Sequence, residues 1–162
     1  MSVSGLSGDE LSNVEQRLTI KTLTDRKDLD ELLVQRLHQQ AESDIRSALQ
    51  PFGYYTPTIN STLSGGPKEW KAHYDIQRGP QTHLRDIDIA VEGEAAEFPA
   101  VHDLLPKLPL HKGDALLHSH YESAKAQLLQ EAYAGGFLDA HYTTSELRID
   151  PETQSADVEL KL

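Results

Sequence analysis

The chain has 162 residues, with 26 acidic side chains against 15 Lys and Arg, a net charge of −11 and no cysteine. That composition excludes disulfides and thiolate chemistry, and it argues against nucleic acid or anionic lipid as partners, because phosphate binding needs clustered Lys and Arg. No apolar run is long enough to cross a bilayer as a helix or to form a signal-peptide core.

Taken in order, Ser2-Val3-Ser4-Gly5 reads as a short strand. Ser7-Gly8-Asp9-Glu10 then offers an N-cap and an acidic first turn for a helix with Leu11, Val14 and Leu18 on one face. Thr22 to Lys27 is polar and reads as a connection. A longer helix is expected from Asp28 to Leu49, with Leu33, Leu37, Ala41, Ile45 and Ala48 as its apolar stripe. Pro51, Phe52 and Gly53 end it, and Tyr54 and Tyr55 open an extended segment. Pro57 to Leu63 is β-prone, Ser64-Gly65-Gly66-Pro67 is a turn, and Trp70 to Ile76 alternates with period two before Gly79-Pro80.

The same order then recurs. Leu84 to Val91 is an alternating strand ending at Gly93, and Pro99 sits near the start of a short helix containing Phe98, Val101, Leu104 and Leu105. Pro106 to Gly113 reads as a linker. Ser119 and Glu122 fit a capping box for a helix with Tyr121, Ala124, Leu128 and Ala132 as its stripe. Gly135-Gly136 stops it, and Phe137 takes the place of Tyr54. Ala140 to Ile149 is expected to be a strand, Asp150 to Thr153 a turn, and Val158, Leu160 and Leu162 alternate in the last strand.

Laying Gly53 on Gly136 without gaps also lays Leu33 on Leu116, Ala41 on Ala124 and Ile45 on Leu128. The chain therefore reads as a tandem repeat of one β-α-α-β-β unit, residues 1–82 and 83–162. The fold class is α+β, each unit a three-stranded mixed sheet with two helices on one face. Units this small hide only about 60–65% of their unfolded surface, so each should be modestly stable. With no lead-in before Ser2 and an alternating strand still running at Leu162, the sequence looks cut from something longer.

His111, His118 and His120, with Asp114 and Glu122 near them, are the one group with metal-ligand character. They flank a helix start, where ring directions diverge, so solvated histidines are the simpler reading. A small metal-dependent enzyme using those residues is the competing class. His73 and His141 fall on strand positions that face outward. The carboxylates scatter over helix surfaces and turns without the enclosed cleft that separates catalytic pKa values. No nucleophile elbow, P-loop or dinucleotide fingerprint is present, so no catalytic residue and no cofactor is expected. Trp70 and Tyr74 read as core and rim of a sheet.

The β-α-α-β-β order, the Gly53-Tyr54-Tyr55 and Gly136-Phe137 junctions and Gly79-Pro80 resemble POTRA (polypeptide-transport-associated) domains. Ala48 to Tyr55 and His120-Tyr121-Glu122-Ser123-Ala124-Lys125 look like the first and second POTRA domains of the TamA branch of the Omp85 family. Phe137-Leu138 departs from the aromatic pair expected in the second unit, and the stretch from Lys21 to Asp30 is long. The resemblance implies a periplasmic module for assembly of autotransporters and other outer-membrane proteins. It also implies unfolded outer-membrane clients, a TamB-like inner-membrane partner, and a further POTRA domain and membrane β-barrel after Leu162. A POTRA pair from a two-partner secretion or BamA-like transporter is the alternative.

A sheet of this order leaves edges that can accept an extended segment by main-chain pairing. The last strand of each unit is expected at the centre and the second strand along one side. Pro57 blunts that strand in the first unit. Its counterpart in the second is Ala140, and the run Ala140, His141, Tyr142, Thr143, Thr144 and Ser145 has no proline. A client or partner is therefore expected to add at residues 140–147, and Thr143→Pro to weaken it at little cost to the fold.

Overall fold

Trp70, Ala72, Tyr74 and Ile76 alternate along one strand, so their side chains share one face of a sheet. In the computed structural model, which describes residues 1–24, 26, 29–66 and 69–162, that strand is the centre of the first sheet. The chain divides into two units, Met1–Gln81 and Thr82–Leu162.

In the first unit β1 (Ser2–Ser4) lies parallel to β3 (Glu69–Gln77), and β2 (Thr58–Gly66) lies antiparallel on its other side. Helices α1 (Gly8–Arg17) and α2 (Glu31–Leu49) supply Val14, Ala41, Ile45, Ala48 and Leu49 to the core against Tyr74 and Ile76. Tyr74 is completely buried, and its hydroxyl lies 2.9 Å from His38 Nδ1 on α2. Burial pushes the Tyr74 hydroxyl up to about 12, with Asp44 adding to the shift.

Four readings of this unit change. The expected start of α2 at Asp28 lies outside the described residues; the helix runs from Glu31, with Asp30 Oδ1 accepting the Leu32 N–H at 3.1 Å. Val34, and not Leu33, is the buried residue of its first turns, because positions 34, 41, 45 and 48 share one helical face. The expected polar connection, whose end at Lys27 is also outside the described residues, begins inside a 3-10 helix at Thr19–Leu23 that buries Ile20 and Leu23. Ser64 to Gly66 belong to β2, while Pro67 of the expected turn is not among the described residues.

The second unit has the same order: β4 (His83–Ala90), β6 (Ser155–Lys161) at the centre and β5 (Thr144–Asp150). Helices α3 (Pro99–Leu104) and α4 (His118–Ala134) contribute buried Val101, Tyr121, Ala124, Leu128 and Ala132, and β6 contributes buried Ala156, Val158 and Leu160. The expected linker is part of the core, since Leu108 and Leu110 are buried. It is pinned along β4 by Gly113 N–H to the Leu84 carbonyl (2.7 Å), Leu84 N–H to Asp114 (2.8 Å) and Leu116 N–H to Thr82 (2.8 Å). Those bonds carry the chain straight into α4 at His118, with Leu117 at the N-cap. The capping box is therefore not formed: Ser119 is already helical and Glu122 pairs with Lys125 at 3.4 Å.

The two helix-to-strand junctions are the same device. Gly53 has φ 83° and Gly136 φ 93°. Tyr54 N–H reaches back to Leu49 (3.3 Å) and Phe137 N–H to Ala132 (3.1 Å), while each glycine N–H bonds Gln50 or Tyr133. This Schellman pattern satisfies the last carbonyls of the helix and needs a left-handed residue, which glycine supplies without a Cβ penalty.

Candidate interaction surface

Four strands stand at sheet edges, and they are not equivalent. β1 has only three residues. The first half of β4 is already paired by the Gly113–Leu116 backbone. β5 carries Glu146, Arg148 and Asp150, and Arg148 is tied at 2.9 Å both to Glu146 and to Glu159 of β6. Charges of this kind on a short edge oppose pairing with a further strand.

β2 is different in kind. It runs nine residues, pairs with β3 in unbroken register from Thr58↔Gln77 to Gly66↔Glu69, and holds no charged residue and no proline. Its other side has no strand partner among the described residues. Pro57 stands just before the strand, buried, with its carbonyl accepting Arg46 Nη1 at 3.0 Å, so it anchors the strand start to α2 and does not blunt the edge. Beside β2, Leu63 lines a cavity of about 200 Å³ with Ile20, Leu23, Val34 and Trp70. Trp70 is half-buried, and its indole N–H has no hydrogen-bond partner among the described residues.

The segment singled out in the second unit takes another form. Ala140, His141, Tyr142 and Thr143 precede the strand, and only Thr144 and Ser145 belong to β5. Tyr142 is drawn onto α4, where its hydroxyl donates to the Lys125 carbonyl at 2.9 Å and burial pushes it up to about 12. Ala140 N–H closes on Phe137, and His141 Nδ1 lies 2.8 Å from the Asp139 carbonyl. Thr143 N–H is not turned outward: it donates to Lys161 at 2.8 Å, so a proline there breaks a native bond. Ser145 Oγ lies 3.0 Å from the Tyr121 hydroxyl. The signals that separate the two edges were present in the sequence, as three charges within Thr144–Asp150 and none within Thr58–Gly66.

The junction residues Gly53, Tyr54, Tyr55, Gly136 and Phe137 are structural. The Arg78 guanidinium sits 5.4 Å over the Tyr54 ring, Tyr55 is pushed up to about 12 by burial, and Phe137 packs edge-on to Phe98 at 5.8 Å. Among the histidines, His111 Nδ1 lies 3.2 Å from Asp114, and His118 is lowered by burial against the opposing pull of Glu122. No three His, Cys, Asp or Glu side chains among the described residues converge as a metal site. No helix among those residues is long and apolar enough to cross a membrane.

A family model described as POTRA domain TamA domain 1 matches residues 1–78. Among solved structures, POTRA3-5 of Haemophilus influenzae BamA aligns with 99% of this chain and 58% of its own, at 19% identity and a TM-score of 0.48. BamA from Haemophilus ducreyi lacking POTRA domains 1-3 aligns over 98% of this chain and 27% of its own (14% identity, TM-score 0.44). POTRA1-2 of the periplasmic domain of Omp85 from Anabaena aligns over 98% and 90% (14%, 0.45). The chain thus spans under two thirds of the two BamA chains. Met1–Gln81, which the family match covers almost throughout, is thus similar to a POTRA domain of the TamA type, and Thr82–Leu162 repeats its strand order.

Proposed function

We propose that this chain is the periplasmic interaction part of an outer-membrane protein assembly factor of the TamA type, and that it takes up extended client segments by backbone pairing along β2. The observation that carries the reading is the nine-residue, uncharged, proline-free edge at Thr58–Gly66. Main-chain pairing suits a module serving many unfolded clients, because it depends little on the guest's sequence. The match to a TamA POTRA model and the junction motifs support the further elements of the proposal: autotransporters among the clients, a TamB-like inner-membrane partner, and a further POTRA domain and β-barrel after Leu162. The pairing expected at Ala140–Ser145 moves to the first unit, since most of that segment is held against α4 and β6.

In an antiparallel pair, successive residues turn their N–H and C=O groups to opposite sides. Of the neighbours Ser61 and Thr62, one therefore bonds β3 and the other faces the open edge. Prolines are placed at each in turn, with a photo-crosslinker at exposed Asn60 and a control at Glu146 on β5. Unfolded outer-membrane client should be captured at Asn60, and the proline that leaves the fold intact should abolish capture. Capture at Glu146 equal to that at Asn60, or capture that survives the tolerated proline, refutes the assignment.

A further inference from the structure

The two units share a fold but not a charge. Met1–Gln81 has nine Lys and Arg against eleven Asp and Glu, a net −2, whereas Thr82–Leu162 has six against fifteen, a net −9. Where the strand β5 is approached in the second unit, a groove of about 510 Å³ opens. Its floor is apolar, with Ala95 and Phe137, and Leu138 stands over it 76% exposed. That exposure is enforced by the backbone: Leu138 N–H bonds Gly136 and Ala140 N–H bonds Phe137, both near 3 Å, while Phe98 fixes Phe137 edge-on. At the aligned position of the first unit, Tyr55 is half-buried instead.

Glu92, Glu94 and Asp139 rim the groove, and none of the three is in an ion pair among the described residues. Of the basic groups at hand, His141 lines the groove with its Nδ1 2.8 Å from the Asp139 carbonyl, and Lys161 is committed to Glu159 at 2.7 Å. A purely apolar guest would strip water from these carboxylates without replacing it, which is unfavourable. A second copy of the chain would bring a like-charged surface, which the net −9 opposes.

We propose that this groove binds a segment of a partner protein carrying a large apolar side chain flanked by lysine or arginine. The apolar side chain covers Leu138 and Phe137, and the flanking cations meet the Glu92, Glu94 and Asp139 rim. The unit's net charge steers the basic segment in from a distance, so the contact weakens as salt rises. This goes beyond the pairing at β2 and does not depend on it.

The test uses the whole chain and two fluorescein-labelled peptides, one alternating Leu with Arg and one alternating Leu with Glu, read by fluorescence anisotropy. The Arg peptide should bind more tightly and lose affinity with salt. Leu138→Ser should weaken it by about tenfold, the loss of one buried aliphatic side chain. The double reversal Glu94→Lys with Asp139→Lys should invert the preference toward the Glu peptide, while the proline at Ser61 or Thr62 that leaves the fold intact should leave binding of both peptides unchanged. Three results overturn the proposal: no binding of the Arg peptide, binding unaffected by Leu138→Ser, or no shift of preference on charge reversal. Self-association of the free chain that Leu138→Ser abolishes also overturns it, because the occupant is then a second copy.

Discussion

The glycine pair at the end of α4 separates two ways in which a Cβ can be excluded. Gly136 sits at φ 93° with nothing within 4 Å of an added Cβ, so alanine there meets strain and no neighbour. The left-handed conformation costs about 1–2 kcal/mol for an L-residue, partly offset by ~0.4–1 kcal/mol from the stiffer unfolded chain. Gly135 has an ordinary φ of −73°, but its Cβ would stand 2.8 Å from Phe98 Cε1 and 3.0 Å from Phe137 Cε2. Alanine gains ~1 kcal/mol of helix propensity at such a site and loses ~1–3 kcal/mol to overpacking. Trimming Phe98 to Leu should therefore rescue Gly135→Ala and leave Gly136→Ala unrescued. The coupling should exceed about 0.5 kcal/mol in the first pair and vanish in the second. Thermal melts followed by circular dichroism read the second unit; a loss of ~1 kcal/mol lowers its midpoint by about 4–8 °C. Trp70, the one tryptophan, reports the first unit by fluorescence and should not move. Equal coupling in both pairs, or a Gly136→Ala chain as stable as its parent, refutes the distinction.

Burial lowers His38, so the native first unit holds it neutral while the unfolded chain takes up a proton near the ordinary histidine value of about 6.5. Stability of that unit should fall as pH drops below about 6.5 and level off once the native ring also protonates; Trp70 fluorescence in urea reads it, and His38→Gln should flatten the profile. A profile unchanged in His38→Gln assigns the pH effect to other groups. The fragment 82–162 should be more stable than 84–162, because Thr82 is buried and its carbonyl accepts the Leu116 N–H at 2.8 Å. Leaving that N–H unpaired costs ~1–3 kcal/mol, and equal urea midpoints for the two fragments would refute this account.

The elements that were legible in the sequence are those whose periodicity and terminating residues agree. Ala41, Ile45 and Ala48 repeat at helical spacing, Gly53 stops them, and Trp70 to Ile76 alternate; each is a local signal, and each is realised. The centre position of the last strand follows from the crossover and the hairpin together. The departures occur where a distant partner decides. Leu108 and Leu110 look like loop residues until Gly113 and Leu116 bond back to Leu84 and Thr82. Ser119 makes a plausible N-cap only if the chain is free to turn there, and the Leu116 bond removes that freedom. Ala140 to Thr143 has β-prone composition, yet the Tyr142 hydroxyl finds the Lys125 carbonyl and takes the segment off the sheet edge. Pro57 shows how narrow the margin is: one residue inside β2 it would have blunted the edge, and one residue outside it serves as an anchor.

What the repeat keeps and what it changes then point the same way. The hydrogen-bonded cores and both Schellman junctions are shared, so the fold alone cannot distinguish the two units. Their surfaces do. The outward face of the first sheet carries hydroxyl-centred hydrogen bonds, with Ser2 Oγ 2.8 Å from His73 Nδ1 and Ser4 Oγ donating to the Asp75 carboxylate at 2.7 Å, beside one exposed ion pair between Lys71 and Glu69. The second relies instead on guanidinium pairs, Arg85 to Asp157 at 2.9 Å and Arg148 to Glu159, and the Arg85 hydrogen bond holds the Asp157 carboxyl below its usual range. A backbone edge beside neutral side chains binds through bonds that salt screens little. A groove rimmed by unpaired carboxylates on a unit of net −9 binds through charge that salt screens strongly. The two contacts therefore respond to different variables, and raising the ionic strength should silence the second unit's contact while the first unit's persists.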